Sequence, residues 1–377
     1  MKKRILAGLM AGVLALTLTG CTDFKKDVIE YIYGQASAPQ EIKRAECVSE
    51  GRYMHDVLGG DEQIIYDEML ATVLEFKEES NLLVCQDEAQ IEKCYNAMMD
   101  DHGEIFWLEG AGYVFKDSPN QVEFYFQPQY SMTLEEKNQF TAAMRKEIKR
   151  YTKALKKCDT DYEKCKKAYE MLVESVAYDE NSEFNQDIRS VFIDKATVCA
   201  GYSKALQMLL AEQEIECSVV HGTTIDGVAH SWNMVKLDDE YYYIDVTWGN
   251  PTYNTAVDTG VCYDYLCLNE YDLAYTHVFD TGVELPKSRG NEFNYYVQSG
   301  CYFEEWDKDA VCKIIKNAYK KGDASVSVRF SNGIFMSQAM EYLIDEDGVY
   351  KCCKDMNSFH YSTDSNLSIL TIIFSGE

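Results

Sequence analysis

Cys199, His230 and Asp245 are the residues of this chain whose types, order and contexts can do chemistry together. A cysteine that opens a helix places its sulfur beside amides with no intrahelical partner, at the positive end of the helix dipole. Both effects favour thiolate over thiol and draw the pKa below the free value of about 8.5. Cys199 precedes Ala200-Gly201 and the apolar residues Leu206, Leu209 and Leu210, a pattern that predicts a helix over about 199–212. The same free amides can stabilise an oxyanion on a carbonyl attacked by the sulfur. An imidazole oriented by a carboxylate can take the thiol proton and later return it.

The elements that must position these groups are a helix and a hairpin. Strands are predicted over 216–222, 228–237 and 240–247, with Asp238-Asp239 as a two-residue turn. Leu237 then pairs with Glu240, His230 faces Thr247 and Trp232 faces Asp245. That register makes His230 and Asp245 same-face diagonal neighbours, about 7–8 Å apart at the backbone and bridgeable by side chains. Each residue alone has a plainer reading. Cys199 can be a small buried hydrophobe, His230 a packed strand residue, and Asp245 a turn residue before Thr-Trp-Gly-Asn-Pro. Trp232 and Trp248 flank the arrangement as core aromatics or as a wall against an acyl substrate. His55, His102, His221 and His360 have no carboxylate or cysteine at an interpretable spacing and receive no role. Without an H-E-x-x-H segment or C-x2-C spacing, no metal site and no cofactor are expected.

Around this segment the chain reads as mixed α and β. Ile64, Ile65, Met69 and Val73 give helical spacing within 61–76. Residues 105–126 read as two or three strands broken at Gly110-Ala111-Gly112 and Ser118-Pro119-Asn120. Thr133 with Glu136 forms a capping box ahead of Phe140, Met144, Ile148, Tyr151 and Leu155. Thr160 with Glu163 forms another ahead of Tyr162, Cys165, Tyr169, Leu172 and Val176. Cys158 and Cys165, seven apart on a helical pattern, are expected to share a helix side rather than bond each other. Beyond 290, helices are predicted near 310–319 and 336–344, and strands over 325–330 and 367–374.

The first twenty residues read as a leader rather than part of the fold. Lys2-Lys3-Arg4 precede an apolar run from Ile5 to Leu18, too short for a comfortable permanent span, which needs about 20 residues. The run ends in Leu18-Thr19-Gly20-Cys21, which resembles the bacterial lipoprotein processing box. That resemblance implies cleavage before Cys21, a lipid on Cys21, and a chain anchored at the extracytoplasmic face of the cell membrane. The boundaries read from sequence are a 1–20 signal peptide, a 21–132 N-terminal α/β region, a 133–285 catalytic domain and a 286–377 C-terminal α+β region.

The segments V-C-A-G-Y-S (Val198–Ser203), A-H-S-W-N (Ala229–Asn233) and Y-I-D-V-T-W (Tyr243–Trp248) together resemble the bacterial transglutaminase-like superfamily, over about residues 160–285. The resemblance implies an α+β, papain-like core, with the catalytic helix packed on an antiparallel sheet and α/β additions at both ends. It implies Cys199 as nucleophile, His230 as general base and acid, and Asp245 as orienting residue. Gln186, upstream where members often supply an oxyanion donor, takes that role. D-D-H-G-E-I-F-W (Asp101–Leu108) resembles the upstream region of extracellular members. Tyr263–His277 resembles the continuation after the aspartate, with His277 structural.

Composition bounds the function. Of 377 residues 46% are apolar, enough for a sizeable core, and a net charge of −27 repels phosphate backbones, so nucleic acid is not an expected partner. Fourteen cysteines leave an odd thirteen once Cys21 is lipidated, which points to a free reactive thiol or unpaired ones. The expected activity is acyl transfer on amide or peptide bonds through a thioester, with a peptide, protein or cell-wall peptide as substrate. Water as acceptor (a peptidase or amidase) is favoured over an amine (a transglutaminase). The alternative is a binding or scaffold lipoprotein that keeps the fold without turnover, for which 28 tyrosines offer recognition surface. The oligomeric state is not legible.

Overall fold

The computed structural model describes residues 8–10, 51–83, 85, 87–117, 122–250 and 260–375. They fall into two units, Met1–Lys146 with Gly282–Glu284, and Glu147–Thr281 with Leu285–Glu377. The sequence boundaries lay at 132 and 285. The C-terminal region therefore shares a unit with the segment that carries Cys199.

In the first unit, α1 (Gly60–Leu74) buries Ile65, Met69 and Val73, the apolar stripe that predicts it. A second helix not read from the sequence, α2 (Glu88–Asp101), starts where the Asp87 carboxylate accepts the Gln90 amide at 3.0 Å. Strands β1 (Gly8–Met10), β2 (Leu108–Asp117) and β3 (Val122–Tyr130) form an antiparallel sheet in that order. β1 lies inside the apolar run read as a leader, whose remaining residues lie outside the described ones. β2 runs through the glycines at 110 and 112 without the expected break, pairing them with Gln129 and Gln127, and its register shift lies before them, between Leu108 and Gly110. The expected turn at Ser118-Pro119-Asn120 lies outside the described residues. Two histidines read as partnerless are not. His55 Nδ1 meets Asp56 at 2.9 Å and His102 Nδ1 meets Glu104 at 2.7 Å. Both are buried beside Asp101, which accepts the His55 amide and the Tyr66 hydroxyl.

α3 (Leu134–Leu155) carries the chain across the division. Its start is the Thr133–Glu136 capping box, with reciprocal bonds of 2.8 and 3.3 Å. In the second unit, Thr160 and Glu163 do the same for α4 (Asp161–Ser175), which buries Cys165, Tyr169 and Leu172. Cys158 lies in the turn between these helices, so it does not share a helix with Cys165; both thiols are free. A short parallel pair, β4 (Ala177–Tyr178) and β5 (Ala196–Thr197), leads into α5 (Cys199–Ala211). α5 packs on an antiparallel sheet of β6 (Cys217–Thr224), β7 (Ala229–Leu237), β8 (Glu240–Ile244), β9 (Leu266–Leu268) and β10 (His277–Phe279). The spatial order is β10-β6-β7-β8-β9.

The C-terminal part adds β11 (Tyr302–Phe303), α6 (Lys308–Lys321), β12 (Ser325–Phe330), α7 (Gly333–Met340), β13 (Phe359–Asp364) and β14 (Ile369–Phe374). Its sheet runs β11-β12-β14-β13. Alternation along β12 and β14 puts Val328, Phe330, Leu370 and Ile372 into a core with Val311 and Ile315 of α6. Cys312 and Cys352 form a disulfide there. The whole is α+β, with the Cys199 helix on an antiparallel sheet.

Candidate active site

Cys199 is the first residue of α5, and Val198 before it supplies no side-chain cap. The opening amides of the helix are thus left for another acceptor beside the sulfur. Gly201 lets this helix start sit close against its neighbours: a Cβ there would lie 1.9 Å from Thr197 Oγ1. Thr197 is itself fixed by Ser190 at 2.6 Å. The sulfur is half-buried, and His230 and Ser231 are the polar groups that act on it.

The register expected for the hairpin is observed, Leu237 pairing with Glu240 and Asn233 with Ile244. The strand ends sooner than expected. Ladder pairing stops at Ile244, and Asp245 caps a helical turn, Val246–Gly249, accepting the Thr247 and Trp248 amides on Oδ1 at 2.8 and 3.2 Å. Its other oxygen, Oδ2, lies 2.8 Å from His230 Nε2. Setting a turn and orienting an imidazole, two readings that competed in the sequence, are both done by one carboxylate. His230 is thus hydrogen-bonded to Asp245 on one side and electrostatically coupled to Cys199 on the other.

The charges follow from this geometry. Burial disfavours the imidazolium, yet the Asp245 charge and hydrogen bond, with Cys199 on the other side, push His230 up to about 10. Burial also works against the thiolate, but the His230 hydrogen bond and charge and the Ser231 hydrogen bonds draw the Cys199 thiol below its ordinary value. Asp245, raised by burial alone, is held well below the carboxylate range by His230 and His277. Every other described free cysteine with a resolved shift is pushed up by burial, Cys85 and Cys94 among them. Cys199 is the exception in direction.

The remaining sequence candidates are placed differently. Gln186 is exposed, its amide donates to Asn185 at 3.0 Å, and its carbonyl accepts Lys204 at 3.0 Å; the structure does not bring it onto the triad. Trp232 is 0% exposed, so it backs His230 rather than facing a substrate. Trp248 is half-buried; its ring centroid is 5.9 Å from that of His230, and it borders a cavity of about 1070 Å³ with Tyr263, Asp264, Tyr295 and Thr371. Cys21 lies outside the described residues. Two site residues were missed. Ser231, within A-H-S-W-N, carried no signal of its own. His277, read as structural, reaches Asp245 Oδ2 at 3.2 Å. Among the described residues, His230, Asp245 and His277 are the one group whose ligand atoms converge closely enough to suggest a metal site. Their spacings are those of hydrogen bonds, with each imidazole nitrogen directly on the carboxylate.

Against known families, a sequence model of the transglutaminase-like superfamily matches residues 149–246. This segment is a transglutaminase-like domain. It contains α4, α5 and β6 to β8, with all three triad residues, while His277 lies beyond the match. No curated protein matches the chain. Among solved structures, a TGase aligns over 40% of this chain and 46% of its own at 16% identity and TM-score 0.29. A candidate cysteine protease from Cytophaga hutchinsonii aligns over 35% and 53% at 13% identity and TM-score 0.26. A candidate protease from Parabacteroides distasonis aligns over 35% of both chains at 10% identity and TM-score 0.23. The chain thus spans about half or less of the structures it aligns with.

Proposed function

We propose that this protein is a cysteine acyl-transfer enzyme acting on amide or peptide bonds, with water as acceptor in preference to an amine. The observation that supports this reading is the line from a half-buried Cys199 sulfur through His230 to a fully buried Asp245. In the reaction the Cys199 thiolate attacks the carbonyl carbon, and the opening amides of α5 receive the oxyanion. His230 protonates the leaving nitrogen as the C–N bond breaks, giving a thioester. Water then attacks with His230 as base, and the C–S bond breaks to release acid and thiol. Trp248, with its ring 5.9 Å from that of His230, offers a surface for the acyl group of a peptide, protein or cell-wall peptide.

The test is exposure of the full chain to a chloroacetamide probe near pH 7, with the labelled residue mapped. We expect label on Cys199 far ahead of the other thiols, and none at that position in Cys199→Ala. Peptidyl amides should then give free acid, whereas amide exchange in the presence of a primary amine would make the protein a transglutaminase. Uniform slow labelling of all thiols would leave a scaffold protein. For location, we propose cleavage before Cys21 and a lipid on its sulfur, which would remove β1 from the mature chain. Incorporation of labelled palmitate, abolished in Cys21→Ser, is the expected result; a water-soluble mature chain would overturn it.

A further inference from the structure

We propose that His277 is a positioning residue, a second donor that fixes the Asp245 carboxylate so that Oδ2 faces His230. This rests on the cysteine acyl-transfer reading above. Asp245 is 1% exposed and accepts four hydrogen bonds. Thr247 and Trp248 amides hold Oδ1, while His230 and His277 share Oδ2 at 2.8 and 3.2 Å. Among the described residues, removal of His277 leaves His230 alone on Oδ2. The His277 ring is fixed independently of that partner. It enters on β10, the edge strand, which pairs with β6 and not with the strand of His230. Its Nδ1 meets Thr276 Oγ1 at 2.8 Å. The Asp245 carboxylate can only accept, so the Nε2 that meets it at 3.2 Å carries a proton, while the Thr276 hydroxyl beside Nδ1 also reaches the Leu273 carbonyl at 3.3 Å. Trp232 and Trp248 pack on the ring with centroids 4.7 Å away.

A second donor on Oδ2 has two consequences. It fixes the plane of the carboxylate, so the imidazole that hydrogen-bonds to it keeps its other nitrogen towards Cys199. It also disperses the carboxylate charge, which keeps the proton on His230 in the ion pair rather than shared with Asp245. The other titratable groups around the carboxylate are Tyr169 from α4 and Tyr265, both kept protonated chiefly by burial, so neither titrates across the working range.

The experiment is the pH dependence of Cys199 alkylation by iodoacetamide in the full chain, with and without EDTA. His277→Phe keeps an aromatic volume but removes the donor. It is expected to raise the midpoint of alkylation by about one pH unit, which lowers the thiolate fraction about tenfold at any pH below both midpoints. His277→Gln keeps an N–H donor and is expected to restore the midpoint to within about 0.3 units. Thr276→Val, which removes only the hydroxyl on Nδ1, should move it in the same direction by less, and serves where the phenylalanine variant does not fold. An unmoved midpoint in a folded His277→Phe or in Thr276→Val overturns the inference. So does a midpoint in the native chain that shifts with EDTA. If the native chain shows no selective alkylation of Cys199, the enzyme reading itself fails, a result distinct from either.

Discussion

At Asp245 one side chain does two jobs with two oxygens, and they can be separated by substitution. In Asp245→Asn the amide oxygen can still cap Thr247 and Trp248, so the turn persists at a cost of about 1 kcal/mol. The amide nitrogen then faces two imidazole donors and carries no charge, so the support for the His230 imidazolium is lost. We expect near-native circular dichroism, and a Cys199 thiol that titrates close to the free value of about 8.5, read as the midpoint of its alkylation. In the native protein the lowered thiol and the imidazole pushed up to about 10 bracket the pH range of the ion pair. Rising pH first removes the thiol proton and creates the nucleophile. At about 10 it removes the imidazole proton and with it the acid for the leaving nitrogen. Turnover should rise and then fall across this range, whereas alkylation, which needs only the thiolate, should rise and stay high. A turnover limb that does not fall would show that His230 is not the acid.

At the level of elements, the edge strand that carries His277 is admitted by the bareness of Gly222. A Cβ there would lie 2.0 Å from the Val278 carbonyl oxygen and 2.8 Å from Trp232 Cη2. The first contact is with backbone and cannot swing away. Gly222→Ala should therefore push β10 off β6 or force Trp232 aside, costing about 1–3 kcal/mol in urea unfolding and slowing Cys199 alkylation with it. A variant with unchanged unfolding midpoint would show that β10 is not held this way. Much of this architecture was legible because local chemistry determines it. Thr133 with Glu136 and Thr160 with Glu163 announce α3 and α4, and Asp238-Asp239 sets the β7–β8 register. Asp245 lies beside His230 as expected, but the strand ends at Ile244 rather than at Thr247 because the carboxylate captures the Thr247 and Trp248 amides that follow it. β9 and β10, three residues each, are too short for any period to show, and with them the role of His277 was hidden. His277 lies 32 positions after Asp245, and the resemblance over Tyr263–His277 marks the segment without showing that its histidine reaches back to that carboxylate. The partners of His55 and His102 are one and two positions away, and only burial turns such neighbours into pairs.

Across the second unit, the C-terminal sheet is joined to the segment after the transglutaminase-like domain by charge as well as by packing. Arg329 on β12 donates to Asp272 at 2.6 Å and to the Leu367 carbonyl at 3.1 Å. The two side chains are 7% and 18% exposed. Tyr295 stacks on Tyr263 with centroids 4.0 Å apart, and the Tyr296 hydroxyl donates to the buried Asp264. If these contacts make one cooperative body, damage to the pair should be felt at both ends of it. Asp272→Ala leaves a buried guanidinium without its counter-charge and should cost about 3–5 kcal/mol. Arg329→Met in the same chain removes the stranded charge, so the double variant should be more stable than Asp272→Ala alone. Hydrogen exchange locates the loss. We expect amides of β7 and β8 to lose protection together with those of β12 and β14 in Asp272→Ala. Loss confined to β12 and β14 would mean that residues beyond 285 fold as an appendage and that the site around Cys199 does not depend on them.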